Sequence, residues 1–556
     1  MSSSDRLIYL PLGGAGEVGM NAYVYGYGPP GRERLVLVDL GVTFPNMDTT
    51  PGVDLIFPDL SWLIARKDDL EAIIITHGHE DHVGALGHFW RELDAPVHAR
   101  PFTANLGARK LDEQGLDPQV IHVAEPWPAT VHVGPFTFGF LPVSHSIPES
   151  SAIVIDTPAG RVVHTGDFKL DGSPVVGEPF EPEAWMEVAR GGIKALVCDS
   201  TNIGVLHPGR SEATVGPKIR ELVQSADGMV VATTFASNVA RVKTLVEAGI
   251  EAGRSVCLLG RAMQRMVQAA VETGVVRDFP ALVTAEEAAD LPREHLMLIV
   301  TGSQGERRAA SAQLSRGKYL GLELKEGDLF LFSSKTIPGN ERDVLNIVNA
   351  LSEKGVDVVD DSHSEYHVSG HANRPDLEAL HDLMKPQMVI PMHGEHRMLR
   401  RHAEVARAKG LASAIAVNGT MLDLTGREPE VADTVAAGRV YLDGSVKVGA
   451  LDGVVRARLR MALNGHVLLT LIMDEDDSPL GEPWAEVEGL AERGRSGTPL
   501  VEAIEAECAQ LLERAAGKVL ADDDKLDEAL RRAVRQVAVQ EIGKKPEVTV
   551  VISRLA

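Results

Sequence analysis

The stretch Thr76-His77-Gly78-His79-Glu80-Asp81-His82, directly behind the apolar run Ala72-Ile73-Ile74-Ile75, constrains this chain more than any other. A short apolar run ending in a glycine-containing polar segment reads as a buried strand and the turn at its exit. Such a turn can aim imidazoles and a carboxylate into one concave site. That is the geometry of a catalytic metal centre rather than of a closed structural zinc site, which draws on thiolates. His77 and His79 can approach one ion if the turn folds back, and Asp81 and His82 can serve a second ion beside it. In a two-metal site one ion lowers the pKa of a bridging water and both hold the oxygens of the reacting group.

Four residues far along the chain are natural completions. His145, in Pro142-Val143-Ser144-His145-Ser146, follows an apolar strand, and Asp167, in His164-Thr165-Gly166-Asp167-Phe168, ends the next pair of strands and can bridge two ions. His393 closes the run Gln387-Met388-Val389-Ile390-Pro391-Met392-His393, and His371 lies in His367-Val368-Ser369-Gly370-His371-Ala372.

The surrounding pattern is α/β. The first 200 or so residues alternate short apolar strands with glycine-rich turns, and several strands end in Asp or His, so their loops are expected to build one site. From about Ser211 helices and strands alternate, with a helix from Thr214 to Val223, a strand from Gly228 to Thr234 and a helix from Val239 to Ala248. This predicts a partly parallel sheet with helices on both faces. The run ending at His393 returns to the style of the first region. The last ninety or so residues predict a small domain of two strands and two helices, with Asp522-Asp523-Asp524 at the positive end of the second helix. The acidic run Asp474-Glu475-Asp476-Asp477 reads as a solvated turn.

The totals bound the rest. At 556 residues the chain exceeds the size of a single core, so two to four domains are expected. Only Cys198, Cys257 and Cys508 occur, with no CxxC pair, which excludes a disulfide framework and fits a reducing compartment. Residues 1–6 lack a signal-peptide pattern, and no run of 18 apolar residues occurs. A soluble cytoplasmic protein without a membrane partner is expected. The net charge of -24 argues against nonspecific coating of nucleic acid. It leaves a nucleic-acid enzyme possible, because bound divalent ions and a confined basic groove reverse the field locally. Lys243, Arg261, Arg265, Arg307, Arg308, Lys318 and Lys335 are candidates for that groove. Gly13-Gly14-x-Gly16-x-x-Gly19 leaves no room for the helix of a dinucleotide fold before the strand near Tyr23, and reads instead as a tight turn beside the site. No GxxxxGK[ST] motif points to ATP.

His77 to His82 matches the HxHxDH signature of the metallo-β-lactamase superfamily, which includes lactamases, thioesterases and nucleases. The long insertion between Asp199 and His393, with Asp199, His371 and His393 standing where three accessory motifs fall, resembles the β-CASP nucleases. The segments Leu12 to Asn21, Thr234 to Asn238, Thr301 to Glu306 and His367 to Ala372 closely resemble the bacterial ribonuclease J family, and the resemblance spans essentially the whole chain. It implies an αββα metallo-β-lactamase sandwich interrupted by an α/β β-CASP domain and followed by a small α+β domain. The boundaries expected are 1–208 and 373–450 for the two parts of the first domain with its linker, 209–372 for the insertion and 451–556 for the last domain.

The resemblance further implies His77, His79 and His145 around one divalent ion, Asp81, His82 and His393 around another, and Asp167 between them, with zinc expected and manganese as the alternative. Asp199 is expected to orient a ligand from behind. Ser369, Gly370, His371 and Ser237 are implied to hold a 5′-terminal or neighbouring phosphate, with His367 and Asn238 in the same turns; simple helix capping by Ser237 and Asn238 stays open. The reaction implied is hydrolysis of RNA phosphodiesters, 5′-to-3′ from monophosphate ends and also internally, in RNA decay and maturation. His371 and Asp81 are the rival proton donors to the leaving oxygen. Single-stranded RNA, a homodimer or homotetramer and RNA-decay proteins are the partners implied. The alternatives are a small-molecule hydrolase, a β-CASP DNA nuclease and a nonenzymatic RNA-decay scaffold.

Overall fold

The computed structural model describes residues 5–555 apart from 338, 361 and 363. The chain divides into two compact units, Met1–Thr43 with Phe57–Arg439, and Phe44–Ile56 with Val440–Ala556.

The first unit contains two large sheets. One has eight strands in the order Glu430–Thr434, Thr420–Asp423, Arg6–Gly13, Ala22–Gly28, Arg34–Val38, Leu70–Ile74, Val97–Ala99 and Ile121–Val123. The other has seven, in the order Ala412–Ser413, Met388–Met392, Ala195–Asp199, Gly160–His164, Ser151–Thr157, Phe136–Pro142 and Val131–Val133. Alternate side chains from the two sheets meet in one apolar core that includes Tyr9, Tyr25, Ile74, Phe138, Ile155, Val197 and Ile390. Trp185, Leu377 and Val405, from three helices, cover the outer face of the seven-stranded sheet over Leu196 and Cys198. The strand Met388–Met392 pairs in parallel with Ala195–Asp199, so the chain returns to this sheet after nearly 190 residues and brings His393 beside Asp199 at one sheet end. This is the αββα sandwich expected from the sequence.

The excursion between those strands forms a five-stranded sheet in the order Ser255–Leu259, Leu296–Val300, Val230–Thr233, Leu329–Phe332 and Asp357–Val359, with every pairing parallel. Both faces are covered. Val231, Leu298 and Phe330 pack on one side, and Val230, Ile299 and Leu331 on the other, which is why these strands read as unbroken apolar runs. A smaller apolar cluster ties it to the sandwich, joining Phe102, Leu106 and Ile147 to Val239 and Ala269.

In the second unit, His466–Met473 runs centrally between antiparallel Trp484–Glu488 and parallel Glu547–Arg554. Helices Leu500–Arg514 and Asp523–Ile542 cover one face through Ile504, Cys508, Leu530 and Val534. Asp522 caps the second helix by accepting from the Lys525 amide. The sequence pattern had suggested two strands and two helices; the strand Trp484–Glu488 and the helix Val454–Asn464 are additions to it. Among the described residues no helix is long and apolar enough to cross a membrane.

Candidate metal centre

The strand Leu70–Ile74 delivers Thr76 and His77 to the end of the eight-stranded sheet, and a short helix, Glu80–Val83, carries Asp81 and His82. Asp39, at the end of the neighbouring strand, braces both. Its buried carboxylate accepts from the Thr76 amide and hydroxyl at 2.8–3.0 Å and from His82 Nδ1 at 2.7 Å. With the hydroxyl proton of Thr76 given to Asp39, Thr76 Oγ1 can accept from His77 Nδ1 at 2.9 Å. Each of these bonds uses one ring nitrogen and leaves Nε2 to face inward.

The same rule holds around the rest of the site. His145 Nδ1–H donates to the Gly370 carbonyl at 2.6 Å, and His393 Nδ1–H to Asn21 Oδ1 at 2.8 Å. His79 is turned the other way. Its Nε2 meets Ser237 Oγ at 3.0 Å, and its Nδ1 faces His77 Nε2 at 3.0 Å and His145 Nε2 at 3.2 Å. Three imidazole nitrogens therefore converge on one point.

Beside them a second set gathers Asp81, His82, Asp167 and His393. Asp167 Oδ2 is 3.4 Å from His82 Nε2 and from His393 Nε2, and 3.8 Å from His145 Nε2, so one carboxylate touches both sets. Asn21 ties the second set together by donating to the Asp81 carbonyl and carboxylate at 3.0 and 3.2 Å while accepting from His393 and Tyr23. Gly14, at φ +81°, makes this possible, because a side chain there would collide with the Asn21 amide and the Tyr23 hydroxyl. Asp39 and His393 also hold positive φ, 64° and 54°, a conformation uncommon for residues other than glycine and concentrated at functional sites.

The electrostatics suit a cation. Burial and the neighbouring imidazoles push His77 and His145 well below the usual histidine range, and burial is the main cause that brings His79 down to about 4, so all three present lone pairs at neutral pH. Asp167 is held well below the usual carboxylate range against its burial by His393 and His82. His82 is raised, also against burial, by Asp167, Asp81 and Asp39. Asp167 Oδ1 is buried without a hydrogen-bond partner. Leaving a buried acceptor unsatisfied costs about 1–3 kcal/mol, and more when it is charged. Converging imidazole lone pairs and an orphaned carboxylate oxygen fit a divalent ion on each side of Asp167.

His371 completes the rim. Its Nδ1–H donates to Asp199 Oδ2 at 2.7 Å, and Asp199 Oδ1 accepts from the amide and hydroxyl of Thr201. Burial opposes charge on this imidazole, but Asp199, then Asp167 and Asp81, lift it to about 9. His371 and Asp81 keep 20% and 31% of their side chains exposed, against 1% for His82 and 3% for Asp167, so both can be reached from solvent. Against its burial, however, His82 holds the Asp81 carboxyl well below the usual carboxylate range, which leaves it no proton to give at neutral pH.

The remaining sequence candidates fall in distinct places. Asn238 Oδ1 caps the helix Val239–Glu251 by accepting from the Arg241 amide, and Ser237 is engaged with His79. Gly370 packs so closely on the His145 ring that a side chain would overlap it. Ser369 Oγ accepts from Asn202 Nδ2 and the His371 amide. His367 is held far below the usual histidine range by burial and by the charges of Arg241, Lys335, Lys169 and Arg210. Of the proposed groove residues, Lys243, Arg265 and Lys318 are paired with Glu247, Glu113 and Glu323, while Arg261, Arg307, Arg308 and Lys335 are exposed. Asn21, Asp39, Asn202 and Arg241 carry no pattern in the sequence that marks them as partners of the site. Arg241 is fully buried, paired with Glu212 at 2.7 Å, and bonded to the carbonyls of Ser333 and Tyr366.

Comparison with known proteins agrees with this architecture. Residues 15–220 match the family model of the metallo-beta-lactamase superfamily, 227–351 that of the ribonuclease J beta-CASP domain, 342–416 a Zn-dependent metallo-hydrolase RNA specificity domain, and 453–555 the ribonuclease J C-terminal domain. A solved structure from Enterococcus faecalis, of a protein of unknown function, shares the fold with a TM-score of 0.53 at 15% identity, over 75% of this chain and all of that one. Ribonuclease J from Sinorhizobium meliloti is 39% identical over 100% of this chain and 98% of its own length. Ribonuclease J from Mycobacterium tuberculosis is 35% identical over 98% and 96%, and that from Helicobacter pylori 30% identical over 99% and 80%. With the fold, the metal-ready centre and full-length similarity in agreement, the chain belongs to the ribonuclease J family.

Proposed function

We propose that this metal-dependent ribonuclease degrades single-stranded RNA 5′-to-3′ from monophosphate ends and also cleaves internally, in RNA decay and maturation. His77, His79 and His145 would hold one divalent ion and Asp81, His82 and His393 the other, with Asp167 between, zinc being the first choice for this His-rich set and manganese the second. The pair of ions would supply an activated water and neutralise charge on the phosphate oxygens. The observation that carries the reading is the bond from His145 to the Gly370 carbonyl, which joins the His367–His371 segment directly to the metal centre.

In that segment the Ser369 hydroxyl, having accepted two hydrogen bonds, has its own proton to donate to a phosphate oxygen. Of the cations around His367, Arg241 is neutralised by Glu212 and Lys169 by Asp171, so the exposed Lys335 is the charge that would draw the same anion. His371, fixed by Asp199 through Nδ1, presents Nε2 as the donor to the departing 3′-oxygen, leaving the 5′-phosphate on the product. The same inward geometry would position Asp81, the rival donor, without a proton to give at neutral pH. We further infer a cytoplasmic setting, consistent with three buried free cysteines, and assembly as a homodimer or homotetramer with RNA-decay partners. The boundaries 1–208, 209–372, 373–450 and 451–556 remain the proposed division.

Matched RNAs bearing a 5′-monophosphate, a 5′-triphosphate or a 5′-hydroxyl test the end preference. The monophosphate substrate is expected to be shortened fastest, with mononucleotides accumulating from the first time point. Equal exonucleolytic rates on all three would rule out the terminal-phosphate reading.

A further inference from the structure

Behind the seven-stranded sheet, on the side away from the sheet-to-sheet core, a second donor cluster shares no residue with the centre described above. It consists of Cys198 from the strand Ala195–Asp199, His381 from the helix Arg374–Met384 and His402 from the helix His396–Ala408. All three are buried, at 0%, 2% and 0% exposure. Their donor atoms lie within 4.8 Å of one another. The two Nε2 atoms of His381 and His402 are 3.1 Å apart, and the rings stack at 5.2 Å with 11° between their planes.

That nitrogen spacing fits a ring N–H···N hydrogen bond in the metal-free protein and a shared ion equally well. Two imidazoles on one tetrahedral zinc, each with a Zn–N bond of about 2.0–2.1 Å, hold their nitrogens about 3.3 Å apart. Ser200 Oγ engages His402 Nδ1 at 2.9 Å, which leaves Nε2 as the nitrogen available for coordination. Burial favours the neutral form of both imidazoles, the form that binds metal. A thiolate with two imidazoles is a soft, compact donor set, and one thiolate charge neutralises a monovalent ion outright or half of a divalent one.

We propose that Cys198, His381 and His402 form a separate structural site for a thiophilic d10 ion, zinc(II) or copper(I). The ion would join one strand and two helices at the strand end that carries Asp199, so it would brace the residue that orients His371. Burial and the neighbouring Asp199 hold the Cys198 thiol well above its usual range, so it is the sulfur–metal bond, as it forms, that must displace the thiol proton to solvent; no electron transfer takes place. The first centre contains no sulfur. A thiolate signature therefore reports the new site alone, and its fate is separate from that of the ribonuclease reading.

The test uses the full chain. After substitution with cobalt(II), a thiolate-to-cobalt charge-transfer band in the near ultraviolet is expected in the wild type, lost in Cys198→Ser and weakened strongly in His381→Leu, which replaces the imidazole with an apolar group suited to the same buried position. Metal analysis of the proteins as purified should show about one fewer zinc or copper per chain in both variants, and which element falls identifies the ion. Circular dichroism checks that each variant is folded. Absence of the band in folded, cobalt-saturated wild type, its persistence in Cys198→Ser, or equal zinc and copper content in all three proteins would overturn the proposal.

Discussion

His79 Nε2 and Ser237 Oγ lie 3.0 Å apart, although 158 residues separate them in the chain. One belongs to the strand-end turn of the sandwich, the other to the turn entering the helix Val239–Glu251 of the inserted sheet. The insertion therefore does more than supply a surface for substrate. It engages Nε2 of the His79 ring and so orients the imidazole with Nδ1 toward His77 and His145.

Ser237→Ala should release that constraint. Loss of a hydrogen bond behind a metal-binding histidine lowers metal affinity or activity by roughly 10–100-fold, and the same range is expected here. Ser237→Thr, which keeps the hydroxyl, should recover most of it. Titration with a competing chelator checks the affinity directly; unchanged affinity in Ser237→Ala would show that the contact does not organise His79.

The convergence of the donors was legible in part from pattern, although their assignment to two ions rested on the family resemblance. His77 to His82 sit on one turn, and His145, Asp167 and His393 each follow an apolar strand, so pattern alone marked them. Asn21 and Asp39 were not legible as partners of the site. Asn after a glycine run and Asp at a strand end are equally at home in ordinary turns, and only the folded register brings Asn21 to Asp81 and Asp39 to His82. Arg241 was hidden for a related reason: an arginine in a helix reads as a surface charge until Glu212 is brought to it. The edge strand Trp484–Glu488 buries well only Ala485, and the helix Val454–Asn464 has its apolar pattern interrupted by Arg456, Arg458 and Arg460, so neither gave a clear period.

His371→Ala should leave metal content unchanged, because its Nδ1 is held by Asp199 and the proposed ligand sets do not include it. Loss of a general acid typically costs about 10²–10⁴ in rate, and kcat should fall within that range. Asp199→Asn should move kcat the same way by a smaller factor, since it alters the orientation of the donor while retaining it. Pre-steady-state cleavage with metal analysis on the same samples separates the roles: a His371→Ala protein that cleaves at the wild-type rate would rule out His371 as the proton donor.

Glu33 provides an acid-sensitive anchor away from the metal centre. Its fully buried side chain receives Arg6 at 2.7 Å and Arg66 at 3.0 Å, and although burial alone would raise its pKa, its own backbone amide, Arg6, the Gly31 amide and Arg66 hold it below the ordinary value of 4.5. Because the folded pKa is the lower one, this stabilisation is fully present above about 4.5 and is lost as pH falls through the folded value. Breaking a buried ion pair costs about 3–5 kcal/mol, so Glu33→Gln should lower Tm clearly at pH 7. The gap between variant and wild type should then narrow as both are melted at successively lower pH below 4.5. A gap that is independent of pH would contradict this linkage.

The central claim is that the two donor sets joined by Asp167 form one nuclease centre acting on RNA. Comparison of wild type with Asp81→Ala on 5′-monophosphorylated single-stranded RNA and on DNA of the same sequence tests it most directly. The account predicts that wild type releases mononucleotides from the RNA far faster than from the DNA, and that Asp81→Ala, while folded, loses at least about a thousandfold of that rate as an interaction needed for ion-assisted hydrolysis is removed. Wild-type cleavage surviving in Asp81→Ala, or equal cleavage of DNA and RNA by the wild type, would contradict it.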